Sequence, residues 1–571
     1  MKWILNKPNL SKIADIMESH NISKEVATIV EKFGLSDRRD LETFLYPNFE
    51  NFHDPFIMKG MKKTVERIFK TISLGQKIFV LGDSDADGIS AAALLYNGIK
   101  FFGGNVKVYI PNRNKEGRGL LNSHIDKAFN YCSDILITCD CGMNSYDSIE
   151  YANKKNIDVI VTDHHLLNDK PVNAFSILNP NQSSCKYPFK DLSGSGVALK
   201  LFQGMIKYKK LNIEISKPGI ILATLGTISD MVPLTDENRL IVYFGLKNLP
   251  KTKDIGLKVL LKKIKSRDPF YVSDLSRYVI PQINSTSRVG DSNKVFDLLI
   301  IREEQKAKIL SLELEVNNRK RLDVQKKILF EIHQTIKNNI KLDKDRVIVC
   351  FSSSWEYGVL GLVASKLRDY FKRPVLLISF KNSINGRGSF RSVKGFNLVE
   401  VLSHLKSYLI SFGGHRMASG LEIDKLNLNS FKRSLLVYAG LKMKDHKVDK
   451  SLYVDLEVKL SCINSNLLSF LKKLEPYGLK NTKPKFMARN IRVIGNPDLI
   501  SSGEHIRFIV KQDKKSINAI GYGLANLYEM LTMGALLDII FVVESNRRNQ
   551  KEIVQLNIKD IRLSAMHFNV N

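Results

Sequence analysis

Asp83, Asp85, Asp87, Asp140 and Asp230, together with the adjoining His164 and His165, are the residues whose types and spacing point to chemistry. They stand in the runs Asp83-Ser84-Asp85-Ala86-Asp87-Gly88, Thr138-Cys139-Asp140-Cys141-Gly142, Asp163-His164-His165 and Ile228-Ser229-Asp230-Met231. Carboxylates gathered within a few ångströms repel unless protons or cations neutralise them, and a hard divalent cation does so without forbidding ionisation. Oxygen donors with one or two imidazoles suit Mn²⁺ or Mg²⁺, whereas a structural zinc site would need more Cys or His. The set predicts a hydrolytic centre for two ions about 3.5–4 Å apart, suited to in-line displacement at phosphorus.

The elements that must position these groups are visible around them. Each run follows an apolar segment that reads as strand-like or buried: Ile78 to Leu81, Ile135 to Ile137, Val159 to Val161, and Ile220 to Leu225. In an open parallel sheet ligands bind beyond the carboxyl ends of the strands, so the side chains are expected to converge on one crevice. If residues 83–87 are extended, side chains two apart share a face and all three aspartates point into that crevice. Cys139 and Cys141 alternate with Asp140, point the other way, and are read as packing residues.

A chain of 571 residues exceeds what one core usually spans, and its 44% apolar content can fill several. The formal charge of +29 points to a polyanionic partner such as nucleic acid. Six irregularly spaced cysteines suggest a reducing compartment rather than a disulfide framework. Nothing resembles a signal peptide, and no uncharged apolar run reaches the roughly 18 residues of a membrane span, so a cytoplasmic protein without membrane contact is expected.

The first 60 residues look helical and irregular; from there to about Leu240 strands and helices alternate as in a parallel α/β sheet. No Gly or Pro occurs between Asp291 and Tyr357, and Ile309, Leu312, Val316, Leu322, Leu329, Ile332 and Ile336 recur at helical spacings, which predicts a long connecting helix. A second α/β segment runs from Arg346 to about Gly440, and Lys442 to Lys450 reads as a linker. Short alternating strands beyond it predict a small β-barrel, with the OB-fold as candidate and Arg547 and Arg548 at a hairpin tip.

Further motifs stand in order along the chain: Ile110-Pro111-Asn112-Arg113, Gly226-Thr227-Ile228-Ser229-Asp230-Met231-Val232-Pro233-Leu234, and Gly413-Gly414-His415-Arg416-Met417-Ala418-Ser419-Gly420. With the aspartate and histidine runs they make the chain resemble, from about residue 60 to 562, the RecJ family of single-strand-specific DNA exonucleases within the DHH phosphoesterase superfamily. The resemblance implies an N-terminal region (1–60), a parallel-sheet DHH catalytic domain (61–295), a connecting helix (296–342), an α/β DHH-associated domain (343–440) and an OB-fold with a C-terminal segment (441–571). It implies 5′-to-3′ hydrolysis of single-stranded DNA to 5′-mononucleotides, in recombination and repair, with two Mn²⁺ or Mg²⁺ ions.

By the same resemblance Asp87, Asp140, His164 and Asp230 surround one ion and Asp83 and Asp85 the other, with Asp140 bridging. His165 is expected to face the substrate phosphate as hydrogen-bond donor or acid, and Asp163 to orient an imidazole. Arg113, Arg288 and Arg391 are expected to hold the DNA backbone or its 5′ end, with Ser389 and the Gly388 amide completing the pocket and His415 in a nucleotide-contacting loop. The chain departs from its relatives at Ser285-Thr286-Ser287, Glu356 and Phe390, positions expected near that pocket. The barrel is expected to bind single strand, with Arg507, Tyr522 and Arg547 as candidates. Glu475-Pro476-Tyr477-Gly478 reads as structural. Single-stranded DNA is the expected partner, a helicase and a single-strand-binding protein are candidates, and a monomer is the default. The competing readings are a DHH phosphodiesterase on short oligonucleotides and a non-catalytic replication scaffold, with RNA as the alternative substrate to DNA.

Overall fold

A computed structural model describes the chain except residues 1, 36, 114, 167–171, 265–268, 340–344, 382, 444–450, 533, 535, 549–550 and 565–571, and the side chains of 38, 338, 339, 545–548, 551 and 552. Most of the proposed linker and the Arg547 and Arg548 side chains therefore lie outside the described residues. The described chain divides into two compact units, residues 54–230 with 245–449, and residues 1–53, 231–244 and 450–571.

In the first unit the apolar runs Lys77–Gly82, Ile135–Cys139 and Asp158–Thr162 are buried along nearly their whole length, as strands covered on both faces must be. They form an all-parallel sheet in the order Asn105–Tyr109, Lys77–Gly82, Ile135–Cys139, Asp158–Thr162, Ser176–Leu178. The chain runs outward in one direction from Lys77–Gly82 to its first partner and then in the other, so the topological switch lies between Lys77–Gly82 and Ile135–Cys139. A crevice opens at such a point. Asp83 and Asp140 are the residues that leave these two strands.

Two local expectations are corrected. Residues 83–87 are not extended: the strand ends at Gly82, Asp85 is the N-cap of the helix Ala86–Phe101, and Asp87 sits in its first turn. The run Ile220 to Leu225 is buried but helical, inside Lys217–Ser229, where Pro218 starts the helix and residues Gly219 to Ile228 are enclosed on all sides.

Residues 296–342 are not one helix. Asn293–Ile300 is a helix of its own, ended by the extended backbone of Ile301, and the long helix is Glu304–Asn339. No Gly or Pro marks that break. A mixed sheet follows in the order Ser411–His415, Ala418–Asp424, Asn385–Arg391, Val375–Ser379, Ile348–Ser352, with only the last pair parallel.

The second unit holds a closed five-stranded barrel. Phe486–Ile500, His505–Gln512, Lys515–Gly521, Lys551–Leu563 and Leu537–Arg548 pair in that order, and the last pairs again with the first. The N-terminal segment is built onto it: Lys2–Leu5 pairs in parallel with Ser451–Val454, and Ile13, Ile16, Ile29 and Val30 share an apolar core with Phe486, Ile539 and Phe541. Among the described residues no helix is long and apolar enough to cross a membrane.

Candidate metal centre and phosphate pocket

Asp87, His164 and Asp230 offer ligand atoms that lie within 4.8 Å of one another, and so do Asp83, Asp85 and Asp140, and Asp140, His164 and His165. The groups meet where His164 Nε2 stands 3.2 Å from Asp140 Oδ1 and 3.6 Å from Asp230 Oδ2. Five carboxylates and two imidazoles thus converge at the switch point. Their placement depends on local backbone. Asp140 adopts φ +61°, an uncommon left-handed conformation that turns it off its strand. Gly194 approaches so closely that a Cβ there would lie 2.5 Å from Asp140 Oδ1, and a Cβ on Gly226 would lie 2.1 Å from Asp87 Oδ1.

Asp87 is fixed by the start of the helix Gly194–Tyr208, whose Gly194 and Ser195 amides donate to its two oxygens at 2.7 and 2.9 Å. A carboxylate there satisfies donors that a helix leaves unpaired. Asp85 Oδ1 accepts from the amides of Asp87 and Gly88, so its cap and its neighbour in the cluster are one arrangement. Asp163 is buried and its Oδ1 accepts from the His164 and His165 amides and lies 2.7 Å from His165 Nδ1, while Oδ2 accepts from Met143 N. Asn181 and Asn179 donate to the carbonyls of His164 and His165, each at 2.9 Å.

The electrostatics call for protons or a cation to neutralise the cluster. Burial, then the charge of Asp85, pushes Asp83 up to about 6; burial and Asp87 push Asp230 to about 7; burial and the neighbouring aspartates hold Asp140 well above the usual carboxylate range. Asp140 Oδ1 is buried and accepts no hydrogen bond among the described residues. An oxygen-rich donor set around such an atom fits Mn²⁺ or Mg²⁺. Cys139 and Cys141 are buried thiols whose pKa values burial raises further, and neither belongs to these ligand groups.

Two outcomes follow. Raised carboxylates favour the metal-free fold at acid pH, and that contribution is lost as pH rises through about 6 to 7. Protons and cations compete for the same oxygens, so the rise in melting temperature on adding Mn²⁺ is expected to be larger at pH 8 than at pH 5.5, as thermal scans at both would show. The hydrogen bond to Asp163 lifts His165 to about 9. Asp163→Asn is expected to lower turnover about 10- to 100-fold and, if His165 acts protonated, to move the alkaline limb of the rate profile to lower pH.

Beside the carboxylates lies a cationic cluster. Arg113 is on the loop after Asn105–Tyr109, braced by Glu116, which accepts from Asn112 N and Tyr109 OH. Arg288 donates to Gly358 O at 2.9 Å; burial, then Arg113, lowers its pKa to about 10, with Arg321 of the long helix contributing. Arg391 donates to Ser389 Oγ and to Phe390 O. The charge of Asp85 raises the pKa of Arg288, and that of Arg113 lowers the pKa of Asp83, so the two clusters adjoin.

The sheet register revises other expectations. Asn385–Arg391 has a strand on each side, so the Gly388 amide is committed to the ladder; Gly388 instead makes room for Leu421, 2.8 Å from where a Cβ would be. Phe390 is fully buried on the core face, away from Ser389 and Arg391. Ser285, Thr286 and Ser287 donate to carbonyls three residues back within their own helix, and Glu356 pairs with Lys381. His415 is not in a loop but in an exposed edge strand, opposite Ala418, which lies opposite Arg391. It therefore shares Arg391's face about 10 Å away, two strand spacings. Gly194, Ser195, Asn179, Asn181, Asn284 and Arg321 are additions to the sequence reading. Only Ser193-Gly194-Ser195-Gly196, a helix-cap pattern, carried a signal.

Comparison with known proteins agrees with this architecture. The DHH family N-terminal domain matches residues 77–227, the DHHA1 domain 344–438 and the RecJ OB domain 454–560. The single-stranded-DNA-specific exonuclease RecJ of Bacillus subtilis is 30% identical over 567 residues, 99% of this chain and 71% of that protein. The protein of the same name from Escherichia coli is 30% identical over 396 residues, 66% of this chain and 68% of its own length. The crystal structure of RecJ in complex with Mn²⁺ from Thermus thermophilus superposes with TM-score 0.82 at 23% identity, over 98% of this chain and 79% of that one.

Proposed function

This chain belongs to the RecJ family, and on that footing we propose that it is a single-stranded-DNA-specific exonuclease, a metal-dependent phosphodiester hydrolase that enters at a 5′ end and releases 5′-mononucleotides. The observation that carries the reading is the adjacency of a five-carboxylate centre to a half-buried arginine cluster. An internal phosphate at the first and a terminal phosphate at the second are what a nuclease working from an end must grip together. When bound, two divalent ions neutralise the carboxylates and supply Lewis-acid activation of water.

The chain's own residues do the rest. Asp83, Asp85, Asp87, Asp140, His164 and Asp230 hold the ions; His165, oriented by Asp163, presents its outer nitrogen to a phosphate oxygen or the departing 3′ oxygen. Arg113, Arg288, Ser389 and Arg391 orient the 5′ phosphate, since a guanidinium fork matches phosphate geometry. The barrel built from strands Phe486–Ile500 to Lys551–Leu563 guides upstream single strand, as OB-folds do. All proposed ligands come from one chain, so a monomer suffices. We place the enzyme in the cytoplasm in recombination and repair, where a helicase would expose its substrate and a single-strand-binding protein would keep it open.

The test is Mn²⁺-dependent digestion of single-stranded DNA labelled separately at each end, beside duplex DNA and RNA of the same sequence. Early 5′-labelled mononucleotides from single-stranded DNA alone support the proposal. Early 3′ label, or digestion of duplex at the same rate, contradicts it.

A further inference from the structure

We propose that Asn284 is a positioning residue that fixes the register between the metal ligands and the terminal-phosphate arginine, and thereby holds product length at one nucleotide. The inference rests on the function proposed above.

Asn284 and Arg288 lie four residues apart on the helix Ile280–Val289, on one face and about 6 Å apart along its axis. Asn284 Oδ1 accepts from Ala86 N at 2.8 Å. That amide is one of the unpaired donors in the first turn of Ala86–Phe101, between Asp85 and Asp87. Asn284 Nδ2 donates to Ser229 Oγ at 3.0 Å, next to Asp230. One side-chain amide therefore ties together two of the four segments that carry the proposed ligands, those of Asp85 and Asp87 and of Asp230.

The other end of the same helix is tied just as closely. Arg288 Nη1 donates to Gly358 O, in the first turn of the helix Tyr357–Phe371, and a Cβ on Gly358 would lie 2.7 Å from Arg288 O. The hydroxyls of Ser285, Thr286 and Ser287 donate within the helix, whereas Asn284 reaches the metal-ligand segments; just past the helix Ser292 Oγ adds a second tie, to Ser84 O at 3.2 Å. One turn of a rigid helix spans a distance comparable to one nucleotide of extended strand. With its amide anchored at the ligands and its guanidinium on the terminal phosphate, the helix sets which phosphodiester lies at the carboxylates.

The test compares wild type, Asn284→Leu and Asn284→Asp on a 5′-phosphorylated, 5′-labelled single strand. Leu keeps volume and removes both hydrogen bonds; Asp can accept from Ala86 N and from the Ser229 hydroxyl, which is free to turn. Asn284→Leu is expected to release dinucleotides beside mononucleotides and to lose about a hundredfold in kcat, with KM and Mn²⁺ stoichiometry by electron paramagnetic resonance little changed. Asn284→Asp is expected to restore a single product length. Mononucleotides alone from Asn284→Leu, whatever its kcat, or mixed lengths from Asn284→Asp, would overturn the proposal. If Asn284→Leu does not melt cooperatively, Ser229→Ala, which lacks one arm of the tie, is judged by the same product lengths. Wild type that releases nothing sinks the function itself, whereas mononucleotides from both wild type and Asn284→Leu sink only the register.

Discussion

Asp140→Asn is expected to lower turnover by about three orders of magnitude or more while leaving the fold and single-strand binding in place. Asp140 joins the ligand groups, 3.2 Å from His164 and within reach of Asp83 and Asp85. If Asp140 serves both proposed ions, losing it would forfeit charge stabilisation of several kcal/mol, and each 1.4 kcal/mol is about tenfold in rate. The stability signature separates this from simple misfolding. Asp140 Oδ1 is buried without a hydrogen bond among the described residues, and its carboxyl resists ionisation because of burial and neighbouring aspartates. A neutral amide relieves that repulsion, so the metal-free melting temperature should hold or rise. Metal stabilises only the state that binds it, so the increment on adding Mn²⁺ should shrink. A mutant of full activity, or one unfolded without metal, contradicts the assignment.

Arg288→Met is expected to raise KM for 5′-phosphorylated single strands about 10- to 100-fold, the weight of one charged hydrogen bond of about 1.5–3 kcal/mol. The same strands with a 5′ hydroxyl should be much less affected, because the guanidinium is assigned to the terminal phosphate. Methionine keeps much of the aliphatic stem. It loses the bond to Gly358 O, but it also removes one half-buried cation from a cluster with Arg113, Arg321 and Arg391 nearby. The two changes oppose each other, so little shift in melting temperature is expected. Equal losses on both substrates would move Arg288 from terminal recognition to general backbone binding.

The candidate ligand types were legible in the sequence because each run stands at the end of an apolar segment; a parallel sheet converts that pattern into convergence for the runs at Asp83, Asp140 and Asp163, while Asp230 arrives at the end of the buried helix Lys217–Ser229. Their geometry was less so. Asp85 and Asp87 converge with Asp83 through a strand-to-helix turn rather than through pleating, and the Asp-rich string suits an N-cap as well as a strand. Phe390 could have been placed: alternation along Asn385–Arg391 puts residues 386, 388 and 390 on the core face, and reading position by position against relatives hid that period. Asn284 was out of reach because its partners are 198 and 55 residues away. So was the pairing of Lys2–Leu5 with Ser451–Val454, a contact that only the folded chain creates.

The proposed centre would take two ions, with Asp140 belonging to both the Asp83 and the His164 ligand groups, and electron paramagnetic resonance of the Mn²⁺-titrated protein at pH 8 tests it most directly. Two ions per chain with a spin-coupled spectrum, reduced to at most one uncoupled ion in Asp140→Asn, is the predicted result. A single uncoupled ion in the wild type, or an unchanged coupled pair in Asp140→Asn, would contradict it.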